Sequence, residues 1–251
     1  MGVGGARNLL FDPSIEKKSQ TRHRLSNRQV PAPASVKCFQ AEPLMYQPSA
    51  FREERLEILH ALIRAHPLAT LITAGPGGLL ANLVPFILAD TGGPGTLRAH
   101  IAKANDQVEP LRSGAEILVV FQGPEAYITP SWYASTKEHG RVVPTWNYVV
   151  VQVRGTPRVI DDPTWLRAQI GVLTALQENH RPAPWSVADA PEAFVAAQLN
   201  AIIGVEIPIL SIEGKWKVSQ NRSAADRQGV IEGLQTERTN EAMAKLVAEK
   251  K

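Results

Sequence analysis

The sequence predicts a mainly β protein with helices, an α+β fold whose strands curl into a barrel. Three observations carry this. Between residues 68 and 153, six β-rich runs follow one another at intervals too short for crossover helices, which argues against βαβ units and for a barrel. Turn clusters punctuate the runs, at Gly75-Pro76-Gly77-Gly78 and at Thr91-Gly92-Gly93-Pro94-Gly95. Long helical patterns flank the strands and interrupt them once, after residue 160.

In order, residues 1–44 mix Gly, Ser, Pro, Arg and Lys without periodicity, and Pro31 to Ser35 reads as linker, so a disordered basic tail is expected. Two readings of it stand: Met45 is the true start and the tail comes from an upstream one, or the tail is a genuine arm. Ser49 is expected to cap a helix to His66, with Leu56, Leu59, Leu62 and Ile63 on one face and Pro67 forbidding continuation. His60 and His66 on it read as solvated or capping residues. Leu68 to Ala74 and Leu79 to Asp90 form a hairpin, Thr96 to Ala102 a third strand, and Asn105 to Arg112 a short helix or turn. Glu116 to Gln122 is a buried strand by its β-branched content, Tyr127 to Thr129 a strand end, and Trp146 to Val153 a further strand. Asp162 and Pro163 open a helix to Asn179 with Trp165, Ile170, Leu173 and Leu176 inward; Ser186 or Asp189 starts another through Phe194, Leu199 and Ile202. Gly204 to Val218 returns to strand with Gly214 as a bulge or turn. Arg222 to Leu234 and Thr236 to Lys250 are helical. The expected domain therefore spans residues 45–235, followed by a C-terminal helix at 236–251.

The pI of about 9.1 misleads. Residues 1–44 carry seven Lys or Arg against three Asp or Glu, which leaves 20 against 21 for residues 45–251. The folded part is near neutral, and this weakens a nucleic-acid reading, because phosphate binding needs cations on the docking surface. Cys38 is the only cysteine, so an intrachain disulfide or cysteine-based metal site is ruled out. With no run of 18 apolar residues and no signal-peptide pattern at the start, a cytoplasmic protein is expected.

Three segments carry chemistry. Tyr127 to Tyr148 holds five of the chain's fifteen aromatics, interleaved with Ser131, Lys137, His139 and Arg141; it either lines a pocket for a flat ligand or packs a core. In Leu97 to Asp106, alternation puts Arg98, His100 and Ala102 on one strand face with Lys103 and Asn105 at its exit, which suits a phosphate or a solvated edge strand. In Lys217 to Arg227, Ser219, Gln220, Asn221 and Arg222 sit where strand gives way to helix, a place where capping alone also explains them. No Gly-rich phosphate loop, H-E-x-x-H or G-x-S-x-G motif occurs.

M-Y-x-P-x-x-F at 45–51, H-I-A-K-A-N at 100–105, Y-I-T-P-S-W-Y at 127–133, V-P-T-W-N-Y at 143–148 and K-V-S-Q-N-R at 217–222 together resemble the PaiB-like FMN-binding negative transcriptional regulators. The resemblance spans about Met45 to Leu234. It implies an FMN-binding split β-barrel related to the pyridoxamine-phosphate-oxidase type, a homodimer with FMN between subunits, and Met45 as the start. By the same resemblance, His100, Lys103 and Asn105 cradle the phosphate and ribityl chain, with Lys103 at a position commonly Arg. Asp106 and Gln107 stand where the family tends to have Asn-Pro. Trp132, Tyr133, Trp146 and Asn147 would line the isoalloxazine or the dimer contact, and Ser219, Gln220, Asn221 and Arg222 would close the site.

The activity stays open between two readings, since fold does not choose among functions. A regulator would have to gather cations at Arg222, Arg227 and Arg238, or on the tail at Lys17, Lys18, Arg22, Arg24 and Arg28. A flavin-dependent oxidoreductase, or a haem-degrading relative, would use a site lined by Trp132, Tyr133, His139 and Trp146.

Overall fold

Strand pairing, not a helix cap, sets how the chain enters the domain. In the computed structural model, which describes residues 45–237 and 240–250, Ser49 to Phe51 form a single 3-10 turn. The short β1 (Arg52–Glu53) then pairs with Lys215 and Gly214 near the end of the chain's last strand. Helix α1 (Leu56–Ala65) begins only after this, with no cap from Ser49; the Glu53 carboxylate instead accepts the Arg55 backbone N–H at 3.1 Å. Leu59, Leu62 and Ile63 face the core as their spacing predicts. His60 corrects its expectation: it is buried, and its Nε2–H donates to the Pro94 carbonyl at 3.0 Å.

The first hairpin is β2 (Leu68–Gly75) and β3 (Gly78–Pro85), in register from Leu68 with Pro85 to Gly75 with Gly78. The expected single run to Asp90 is broken at Phe86, whose backbone N–H turns back to the Pro67 carbonyl, so β4 (Ile87–Ala89) is separate and pairs with β5 (Thr96–Ala102). After α2 (Val108–Arg112), β6 (Ile117–Ile128) joins two expected strands into one, with its register shift between Gln122 and Glu125. Next come α3 (Ala134–Glu138), β7 (Thr145–Gly155) and β8 (Arg158–Ile160), the last unforeseen in sequence. The helical insertion is α4 (Pro163–Glu178), capped by Asp162 at 2.9 Å from the Thr164 N–H, and α5 (Glu192–Asn200). Strand β9 (Ile202–Lys217) is followed by α6 (Ala224–Thr236) and α7 (Glu241–Glu249).

All pairings are antiparallel, and the ladder runs β3-β2-β6-β7-β9-β5-β4 with β1 and β8 added on β9. The two ends of this path do not hydrogen-bond to each other among the described residues, so the barrel is split rather than closed. Strand β9 holds it together by pairing with β5 over Ile202–Pro208 and with β7 over Ile209–Lys217. Gly214 lies within this strand rather than at a bulge: a Cβ there would come 2.1 Å from Leu59, so the glycine lets α1 close on the sheet. Inside, Leu71, Val119, Phe121, Val151, Val205 and Ile207 are fully buried, each contributing about 1.5–3 kcal/mol by leaving water. The insertion makes its own small core of Leu166, Val195 and Leu199. Leu176, expected inward, is exposed there, as is Phe194. The expected tail of residues 1–44 and Arg238 lie outside the described residues.

Candidate functional site

Strand β5 alternates as predicted: Leu97, Ala99 and Ile101 enter the barrel, and Arg98, His100 and Ala102 share the outer face. That face is covered in part. Gly204 lies opposite His100 in the ladder, and a Cβ on it would sit 2.3 Å from the Trp165 ring, so α4 lays an indole over this region. His100 is half-buried, its Nδ1 has no hydrogen-bond partner among the described residues, and burial pushes the imidazole below its ordinary value. Arg98 and Arg158 both donate to the buried Glu206, at 2.8 and 3.0 Å. At the strand exit the Lys103 ammonium pairs with Asp161 at 2.8 Å. Asn105 turns the chain, its Oδ1 accepting the Gln107 backbone N–H at 2.9 Å.

Gln107, at a position where the sequence departs from the pattern it resembles, proves to be an anchor. Its buried carboxamide donates to the Leu71 and Leu80 carbonyls at 3.0 and 3.2 Å and accepts from Asn82 Nδ2 at 2.9 Å, stitching the Asn105 turn to the first hairpin. The outer face of β3 beside it presents Leu79 and Leu83 to solvent.

A second cluster forms where β7, β9 and α6 meet. Asn147 is buried on β7 and donates to Ser219 Oγ at 2.9 Å. Ser219 is held at φ 63, in the left-handed region that non-glycine residues rarely occupy. Gln220 locks the same turn, accepting the Val218 N–H at 2.8 Å and donating to the Ala50 carbonyl at 3.0 Å, while Asn221 is exposed at its tip. The Arg222 guanidinium carbon lies 4.7 Å from the centroid of Tyr133. Tyr133 is buried, its hydroxyl lacks a partner among the described residues, and burial pushes that hydroxyl up from its ordinary value.

Beneath Tyr133, Asp226 accepts the Ser135 backbone N–H and hydroxyl at 2.9 and 3.0 Å. Burial works to raise its carboxyl, and these donors outweigh that, holding it below the usual carboxylate value. Trp132 packs on α6 at two glycines, a Cβ on Gly229 being 1.9 Å from its carbonyl oxygen, and its Nε1–H donates to Glu237 at 3.2 Å. His139 ends α3 in the open, its Nδ1 accepting the Arg141 N–H.

Trp146 and Asn147 are neighbours on a strand and so point to opposite faces. Asn147 is inside; Trp146 is 52% exposed and meets Tyr127 edge-on at 5.9 Å. Lys217, the first residue of the block at 217–222, donates to the Thr145 hydroxyl and the Trp146 carbonyl beside it. Burial, and then the cations Lys215 and Arg222, push its ammonium below the ordinary lysine value. Lys215 lies between the rings of Tyr46 and Tyr148, at 5.3 and 5.4 Å. Among the described residues no cluster of His, Cys, Asp and Glu could hold a metal, and no helix is long and apolar enough to cross a membrane.

The structure thus gathers the expected residues into two groups and not one. His100, Lys103 and Asn105 flank the β9 position Gly204, whereas Tyr133, Asn147 and Ser219 to Arg222 surround its far end. At about 3.3 Å per residue the groups stand on the order of 50 Å apart along the strand path. Both hold donors suited to an anionic, flat group: a cation and an unpartnered imidazole in one, a guanidinium and an unpartnered phenol in the other.

Residues 45–211 match the family described as "Putative FMN-binding domain". An uncharacterized protein of Aspergillus fumigatus is 36% identical over 254 residues, 82% of this chain and 97% of that protein. The Bacillus subtilis protein named protease synthase and sporulation protein PAI 2 is 29% identical over 208 residues, 82% of this chain and 98% of that protein. Among solved structures, a conserved hypothetical protein of Mycobacterium tuberculosis superposes with a TM-score of 0.50 at 13% identity, over 71% of this chain and 94% of that one, a likeness of fold alone.

Proposed function

The chain belongs to the FMN-binding domain family that it matches, FMN is its cofactor, and from that premise we propose a homodimeric flavin oxidoreductase in which each FMN is held by two copies of the chain. The observation that carries this is the separation of the two residue groups at opposite ends of β9. One FMN can lie between the β5 exit of one copy and the β9 end of the other, each copy supplying one of the two groups. Lys103, His100 and Asn105 then take the phosphate and ribityl chain, with Lys103 exchanging Asp161 for phosphate. Arg222, Tyr133 and the Ser219 turn come from the second copy and orient the ring. When bound, FMN supplies the electron-transfer chemistry; the chain binds, orients and shields it. The exposed Leu79 and Leu83 on the edge strand β3 supply apolar area for the contact between copies.

Catalysis is favoured over DNA docking by the cations. Arg222 is stacked on Tyr133 and the Arg227 Nε is buried, so neither projects freely toward a phosphate backbone. The likeness to a protein named for protease synthesis and sporulation supports regulation as a second reading. Its DNA-binding cations would then come from Arg238 or from the tail.

Complementation tests the shared site. Lys103→Ala and Arg222→Ala should each abolish tight FMN binding alone. Co-expressed, half of the dimers are mixed and one of their two sites is intact, so roughly a quarter of sites should bind FMN. No recovery on mixing would place the whole site in one chain. A monomer mass by light scattering would end the proposal, and FMN that neither NADH nor NADPH reduces anaerobically would return the regulatory reading.

A further inference from the structure

A cavity of about 480 Å³ opens between the end of α1, strand β4 and helix α4. Its walls are apolar, with Phe86, Leu88, Trp165, Leu173 and Leu176 among them. Its charged lining residues are both cations: Arg64 and Arg98 line it beside the carboxamides of Gln169 and Gln177, and no carboxylate does. Gln169 is the telling residue. It is only 5% exposed, yet its Nε2 has no hydrogen-bond partner among the described residues. A buried amide donor left unmade costs about 1–3 kcal/mol, and because Gln169 is among the residues lining the cavity, a polar group that enters and reaches it would recover that bond. Arg64 makes no ion pair among the described residues, and Arg98 shares its one acceptor, Glu206, with Arg158.

We infer that this cavity binds an apolar monocarboxylate, a medium-chain or aryl-substituted acid, with its carboxylate on the Gln169, Arg64 and Arg98 donors and its tail along the apolar wall of α4. The size falls in the range of small-molecule sites, and a few convergent donors in an apolar lining are what such sites require. An alcohol of equal length would lose the ion pairing and bidentate geometry that a carboxylate makes with the guanidinium groups, and an amine would meet two cations. The exposed apolar side chains Val172 and Leu176 lie at the rim, where a ligand tail would cover them. The cavity is assigned as a site separate from the flavin's. Arg98 shares a strand face with His100, however, so the cavity opens beside the proposed phosphate cradle.

Calorimetric titration of the full chain, FMN-free and FMN-loaded, with octanoate, octan-1-ol and octylammonium tests it. Octanoate should bind once per chain in both forms, octanol at least tenfold more weakly and octylammonium not at all. Tryptophan fluorescence should respond to octanoate, and Trp165→Phe should remove the response. Gln169→Leu should weaken octanoate about tenfold while leaving the melting temperature unchanged or raised, since it removes a donor that has no partner among the described residues. Arg64→Gln should weaken it several-fold. The inference is overturned if octanoate and octylammonium bind alike, or if neither binds because a second copy fills the cavity. It is equally overturned if octanoate displaces FMN, which would make the cavity part of the flavin site, or if both substitutions leave octanoate affinity unchanged.

Discussion

Glu53 ties the first and last turns of the domain together, and Glu53→Gln should show how much. The carboxylate is 4% exposed and sits opposite Gly214 in the β1–β9 pair. Its Oε1 accepts from the Arg55 backbone N–H and Nε at 3.1 and 2.8 Å, and its Oε2 from Arg55 Nη2 at 2.7 Å and from the Lys250 ammonium. The Arg55 guanidinium, working against burial and joined by Lys250, lowers the carboxyl from 4.5 to about 2. That difference corresponds to about 3.4 kcal/mol of stability at neutral pH, at about 1.36 kcal/mol per unit. Arg55 is more than half exposed, so solvent screening cuts the expectation to about half, roughly 1.5–2 kcal/mol. Because the folded value is depressed, the contribution is complete above 4.5 and declines as pH falls toward 2. At about pH 3 it should have dropped to less than half. Gln keeps the shape but turns an amide donor toward Arg55 Nη2 and Lys250. Urea unfolding of both proteins at pH 7 and pH 3 should therefore give a large difference at pH 7 that shrinks at pH 3. A difference that is the same at both pH values would refute the reasoning, as would one below about 0.5 kcal/mol at pH 7.

Asp161→Asn should tighten FMN by up to about fivefold by freeing Lys103 from an exposed pair, while riboflavin, lacking the phosphate, should bind unchanged; weaker FMN binding would mean that Asp161 positions the cradle. Gly229→Ala should destabilise by about 1–3 kcal/mol or more in urea, because the new Cβ meets the Trp132 backbone oxygen, which cannot rotate away; a neutral result would show α6 free to shift. Burial holds the His100 imidazole below 6.5, so the unfolded chain takes up its proton first and stability falls as pH drops below 6.5. Urea midpoints between about pH 7 and 5.5 should show that decline, and His100→Asn should flatten it.

What could be read in the sequence was what a local period encodes. Alternation in Thr96 to Ala102 gave strand bounds and the face of Arg98 and His100 correctly, and Asp162-Pro163 gave the start of α4, because a pleat and a cap are each written within a few residues. The expected helix from Ser49 failed because β1 is created by its partner: nothing in Arg52-Glu53 announces a strand until Lys215 and Gly214 lie beside it. The roles of Gln107, Gln169 and Lys217 are hidden for the same reason. A polar residue buried by distant partners carries no periodic signature, and Gln107 gave only the indirect sign of standing where the pattern resembled has proline. The same logic governs the site. The blocks at 100–105 and 217–222 read as parts of one flavin site, and the sequence places no distance between them. Only the ladder, with His100 opposite Gly204 and Tyr148 opposite Lys217, sends them to opposite ends of one sixteen-residue strand. Under the shared-site proposal, a second copy of that strand brings the two blocks together.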